Sequence, residues 1–177
     1  MKPLRFTVDD AQRAYDAWGC NCGPSAIAAI CGLTLDEVRP HLKGFDQKHY
    51  TNPTMMFDAL KSIGIGWVRD PSRNWPAYGL ARIQWEGPWT EPGANPKWAY
   101  RQTHWVGAAR RRPAHPVGDR LTAREQVGVW DVNALGNGTG WCALQDWNQT
   151  LVPHILAECV PRANGRWHIT HAIEVER

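Results

Sequence analysis

Cys22 lies in Trp18-Gly19-Cys20-Asn21-Cys22-Gly23-Pro24-Ser25-Ala26, just ahead of a run, Pro24 to Cys31, that reads as a mostly apolar helix. A thiol at a helix start feels the positive end of the helix dipole and unpaired amide groups, and both favour thiolate over thiol. Gly23 is expected to leave the sulfur approachable, and the backbone N–H of Cys22 to point at a developing oxyanion. A thiolate nucleophile needs a base. His104 is the preferred one, because Trp105 and Val106 after it fix a strand in a core while its imidazole projects from the strand end. Asp131, on the next strand, is placed to accept from the second ring nitrogen and hold the tautomer. Asn133, two residues on, is the substitute orienter. His168 and His171, in a C-terminal strand pattern, are the competing bases.

These residues need elements to carry them. Pro24 suits a first helical turn, and Gly32 sits where a C-terminal cap belongs. Thr34 and Glu37 form a capping-box pattern that opens a second helix. Met55, Met56, Ala59, Leu60 and Ile63 recur at three- and four-residue steps, giving a third helix over 54–63 that Gly64 ends. Gly79 to Trp85 alternates as a half-buried strand would. Residues 86–97, with Pro88, Pro92, Pro96, Gly87 and Gly93, read as a loop. His104–Ala109, Gln126–Val132 and His168–Val175 are further strand candidates, and Arg110 to Gly118 is expected to form a basic turn. Helices precede strands, which predicts an α+β fold with an antiparallel sheet. We read one domain over 1–177, with a helical part over about 10–66 and a sheet part over about 79–177.

Cys-Gly-Pro-Ser-Ala on a helix, then Thr-His-Trp-Val, then Val-Trp-Asp-Val-Asn resembles a papain-like cysteine peptidase. It is most similar to the bacteriocin-processing peptidase domains of bacterial ABC exporters and their stand-alone relatives. The similarity runs from about Asp16 to Asn133 and keeps the family's order of Cys, His and Asp. The resemblance implies a helical lobe bearing Cys22, packed on a sheet bearing His104 and Asp131, and attack on an amide carbonyl through an acyl-enzyme. It also implies a Gln six residues before the nucleophile, donating to the oxyanion. Asp16 stands there instead, and an ionised carboxylate accepts rather than donates. Asn21 and Trp18 are the substitute donors. Losing one such donor costs ~10²–10³ in rate.

Composition bounds the alternatives. The 177 residues are 43% hydrophobic and 21% charged, with a net charge of +3, which excludes wholesale disorder and gives little support to nucleic-acid binding. Eleven tryptophans predict large aromatic anchors. Among them Trp18, Trp85, Trp89 and Trp105, with Gly23, are expected to border a substrate cleft. Cys31, Cys142 and Cys159 read as small core residues, and Cys20 as a core thiol, since a two-residue spacing disfavours a relaxed disulfide. Five cysteines without zinc spacing, and no apolar leader, point to a cytoplasmic setting, no metal and no cofactor. The expected partner is a peptide or protein substrate rather than a membrane. Two other outcomes share the same residues: a bacterial or phage binding module with a weakened site, and a transamidase or acyltransferase using the same triad.

Overall fold

The computed structural model describes residues 2–111 and 126–176. Helices come first: α1 (Val8–Trp18), α2 (Cys22–Cys31), α3 (Leu35–Val38), α4 (Phe45–Lys48) and α5 (Pro53–Ile63). Strands β1 (Trp67–Asp70) and β2 (Tyr78–Trp85) follow, then the single turn α6 (Pro96–Ala99), β3 (Thr103–Arg111), β4 (Gln126–Trp130) and β5 (Trp141–Ala143). A helical run α7 (Leu144–Asp146), a π turn (Trp147–Leu151) and α8 (Val152–Cys159) lead to β6 (Trp167–Val175). All described strand pairs are antiparallel, in the order β1-β6-β2-β3-β4-β5. The fold is therefore α+β with an open antiparallel sheet.

Local chemistry sets the helix ends. Thr34 accepts the Glu37 N–H while the Glu37 carboxylate accepts the Thr34 N–H at 2.8 Å, the reciprocal capping read from the sequence. Thr7 and Asp10 do the same for α1. Gly32, at φ 68°, ends α2 in the left-handed region that glycine adopts without penalty. β4 stops at Trp130, two residues earlier than the alternation suggests. Asp131 accepts the Asn133 N–H and so starts a 3-10 turn over Val132–Asn137.

Each sheet face carries its own core. On one face Leu80, Trp105, Trp130 and Ile173 pack against Ile27 and Ile30 of α2 and Met56 and Leu60 of α5. On the other, Ala81, Ile83, Val106 and Val129 pack against Trp147, Val152 and Ile155 of the C-terminal helical run. β2 is thus buried at all eight residues, not half-buried. Its polar residues Arg82 and Gln84 face a core-lined surface rather than solvent. Arg110 and Arg111 end β3, while the remainder of the expected basic turn lies outside the described residues.

The contact that matters most for chemistry is α2 on β3. A Cβ at Gly107 would sit 2.9 Å from Ile30 Cδ1 and 3.1 Å from Trp130 Cβ, so glycine lets the helix lie against the strand. Ile30 to Cys22 spans ~12 Å of helix, and Gly107 to His104 spans ~10 Å of strand. Pinning Ile30 over Gly107 therefore brings Cys22 to the height of His104. Tyr78 holds the far end of the helix, its hydroxyl donating to the Ile30 carbonyl at 2.8 Å.

Candidate active site

His104 is buried at the start of β3, its ring stacked on Trp85 with centroids 6.0 Å apart. Its Nε2 lies 2.9 Å from Asp131 Oδ2. Asp131 is fully buried and its two oxygens are occupied in pairs. Oδ2 takes His104 and, at 2.8 Å, the indole N–H of Trp147; Oδ1 accepts the Asn133 backbone and side-chain N–H groups, each at 2.9 Å. A buried carboxylate bonded this completely stays ionised. Burial alone would raise its pKa, but His104, Trp147 and Asn133 outweigh that and lower it. Burial likewise opposes charge on His104, yet Asp131 and the Cys22 thiol together carry its pKa up to about 10. With Nε2 on Asp131, Nδ1 is the nitrogen left for sulfur. Cys22, at the first position of α2, lies near enough for the two groups to shift each other's ionisation.

The thiol has a second partner. Cys20 Sγ sits 3.9 Å from Cys22 Sγ. The hydrogen bond from Cys22, working against burial and helped by the Cys22 backbone N–H, brings the Cys20 pKa down to about 7. The same contact, with burial and the Cys20 charge, pushes Cys22 up, while His104 pulls it down. The pair therefore releases one proton early and holds the other. The early proton leaves Cys20, and Cys22 keeps its own until that neighbouring charge is relieved. The expectation that the helix start favours thiolate at Cys22 is thus corrected: burial and the Cys20 contact push Cys22 up, and the lowered thiol is Cys20.

Several expected residues stand elsewhere. Asp16 is exposed on α1 and accepts from Gln12 at 2.9 Å. Asn21 donates its amide to the Ala11 carbonyl at 2.8 Å, tying the α1–α2 turn rather than facing the sulfur. Asn133 braces Asp131 and does not touch the imidazole position directly. Gly23 is buried under Thr51, whose Oγ1 lies 2.1 Å from where a Cβ would be; it serves close packing, not access to the sulfur. Trp85, Trp89 and Trp105 are buried; Trp89 walls a cavity of about 370 Å³ with Trp98 and Cys159, and neither Cys22 nor His104 lines it. Trp89 donates to the Trp85 carbonyl, and Trp105 donates to the Thr51 carbonyl, locking the loop that covers Gly23. Trp18, half-buried, meets Phe45 edge-on beneath Arg39. His168 pairs with Glu86 at 3.0 Å, and His171, lowered to about 4 by burial and then by Arg82, Arg69 and Arg73, is neutral. In the first turn of α2, Pro24 has no N–H, the Ser25 N–H goes to the Asn21 carbonyl, and that of Cys22 goes to the Cys20 sulfur.

Trp147 and Cys20 are the functional neighbours that sequence reading missed or misjudged. Trp147 belongs to an unassigned tail, and the abundance of tryptophan was its one signal. A cavity of about 1000 Å³ beside β5, lined by Trp141, Leu144 and Trp167 among others, lies apart from all these groups. Among the described residues no cluster of His, Cys, Asp or Glu suits a metal ion, and no helix is long and apolar enough to cross a membrane. Compared with protein-family models, curated proteins and solved structures, the chain shows no significant match.

Proposed function

We propose that the chain is a thiol hydrolase of papain-like architecture that cleaves a peptide, isopeptide or related amide bond. The observation that carries this reading is the buried relay from Trp147 and Asn133 through Asp131 to His104, ending at a cysteine on a helix N-terminus. A structural histidine needs one partner. This one has a fully satisfied carboxylate on one nitrogen and leaves the other toward a thiol near enough to shift its ionisation, which is the arrangement nucleophilic catalysis requires.

In the first half-reaction Cys22 passes its proton to the Cys20 thiolate and attacks the amide carbonyl, forming the C–S bond and an oxyanion near the start of α2. Protonated His104 gives its Nδ1 proton to the leaving amine as the C–N bond breaks, leaving a thioester. Neutral His104 then takes a proton from water, whose oxygen attacks the thioester, and the acid departs as the thiolate and imidazolium are restored. Asp131 stays ionised throughout and holds the ring. An amine in place of water would make the same machinery a transamidase or acyltransferase. A reducing cytoplasm suits two thiols 3.9 Å apart that must both stay reduced.

One specific observation favours a weaker, binding-module reading: Asp16 and Asn21 both leave the oxyanion without a side-chain amide. An epoxysuccinyl dipeptide separates the two. The hydrolase predicts a covalent adduct mapped to Cys22, lost in Cys22→Ala and formed ~10²–10⁴ times more slowly in His104→Ala. No adduct, or one that survives Cys22→Ala, would move the protein to the binding class.

A further inference from the structure

Arg82 is a charge without a countercharge. It sits in the middle of β2, where both neighbours in the sheet are covered, and only 4% of its surface is exposed. Its Nη2 donates to Thr103 Oγ1 at 3.2 Å, and Nε has no hydrogen-bond partner among the described residues. No described carboxylate lies within ion-pair distance of it. A buried guanidinium left this way is costly unless an anion completes it. The other groups around it make the need greater. His171, its cross-strand partner, is neutral, and Arg69 and Arg73 also bear on that histidine.

The surroundings also say where the missing anion enters. Thr103, the one bonded partner, is the residue before His104. The exposed ring of Tyr100 (62%) lies over the guanidinium at 5.6 Å, so the outer side of Arg82 is closed by a surface aromatic rather than by core. Trp105, directly across the strand from Arg82, bonds to Thr51, which packs on Gly23 beside the nucleophile. Arg82 is close enough to Cys22 for each charge to favour the other. The planar fork of a guanidinium matches a carboxylate better than a single oxyanion oxygen, because two parallel N–H groups meet two oxygens.

From this geometry we infer that Arg82 is the specificity residue of the Cys22 site and receives a substrate carboxylate lying next to the scissile amide, under the ring of Tyr100. The inference rests on the hydrolase reading and narrows its substrates to acidic ones. The carboxylate is either an Asp or Glu side chain or the free end of a peptide.

Iodoacetate and iodoacetamide, two alkylating agents of nearly equal size, test it, with Cys22 modification read by peptide mass mapping. The ratio of their rates cancels changes in the thiol itself. Arg82→Gln is expected to lower the iodoacetate-to-iodoacetamide ratio roughly tenfold, as loss of one nearby positive charge should, and Arg82→Lys to retain most of it. An unchanged ratio in Arg82→Gln overturns the inference. Slow modification of Cys22 by both reagents in the unaltered protein would instead overturn the hydrolase reading beneath it. Should Arg82→Gln not fold, the native protein gives an independent answer. Acetyl-aspartyl amide or acetyl-alanine protects Cys22 from iodoacetamide, and acetyl-asparaginyl amide does not. Protection by the first assigns the anion to a side chain, by the second to a chain terminus, and protection by neither overturns it.

Discussion

Two sulfurs, one imidazole and one carboxylate make up the chemistry, and each has a measurable signature. Cys20 takes both a side-chain and a backbone hydrogen bond from Cys22, so it competes for the thiolate. Cys20→Ser removes that competitor, and the pH dependence of Cys22 alkylation is expected to shift toward acid. A profile that does not move would show that the sulfurs ionise independently. Trp147→Phe keeps the ring but takes one donor from a carboxylate with no exposure. We expect a loss of ~1–3 kcal/mol in urea unfolding, together with slower Cys22 modification as His104 loses its fixed partner. A variant as stable and reactive as the native protein would remove Trp147 from the site. Cys22, His104 and Asp131 were legible in the sequence because each stands at the edge of an element whose period is plain. Trp147 and Arg82 were not. One lies in a tail with no assigned period, and the other reads as a solvent-facing residue of an alternating strand until both sheet faces are known to be covered.

Helix α2 and strand β3 have to lie flat on each other for the site to exist, and Gly107 decides whether they do. Gly107→Ala places a methyl 2.9 Å from Ile30 Cδ1 and 3.1 Å from Trp130 Cβ, so the Ile30 side chain or the helix that carries it must shift. The expected outcome is a loss of ~1–3 kcal/mol and slower alkylation of Cys22 in the folded protein. Ile30→Val removes Cδ1, and the double variant should recover part of both. Loss of stability without loss of Cys22 reactivity would mean that the site is aligned by something other than this contact. The helices over 24–31 and 54–63 and the strand starting near His104 followed from caps and periodicity. The packing between them did not, because a glycine inside a strand pattern signals a close approach without saying to what.

Across the whole molecule the His104–Asp131 pair ties stability to pH. A histidine held up at about 10 when folded, against ~6.5 unfolded, contributes fully below pH ~6.5 and loses that contribution as pH rises toward 10. Asp131, lowered when folded, contributes above ~3.9 and loses its share as pH falls. Urea midpoints should therefore be highest between about pH 4 and 6.5 and decline toward pH 10, at up to ~1.4 kcal/mol per pH unit. His104→Gln should flatten the alkaline limb, and an unchanged limb would place its cause elsewhere. The antiparallel sheet and the leading helices were readable from pattern, but the helical run between β5 and β6 falls inside the part read as sheet. The second core was not, since nothing in Leu151 to Cys159 announces which sheet face it covers. The most direct measurement is brief iodoacetamide labelling at pH 7, with all five cysteines followed by mass mapping. At that pH a thiol of pKa ~8.5 is only a few per cent ionised, while Cys31 and Cys142 are held up at about 11. Cys20, brought down to about 7, and Cys22 beside it are predicted to react ahead of the exposed Cys159, with the label on Cys22 lost in His104→Ala; labelling that simply follows exposure, or that His104→Ala leaves alone, would contradict the account.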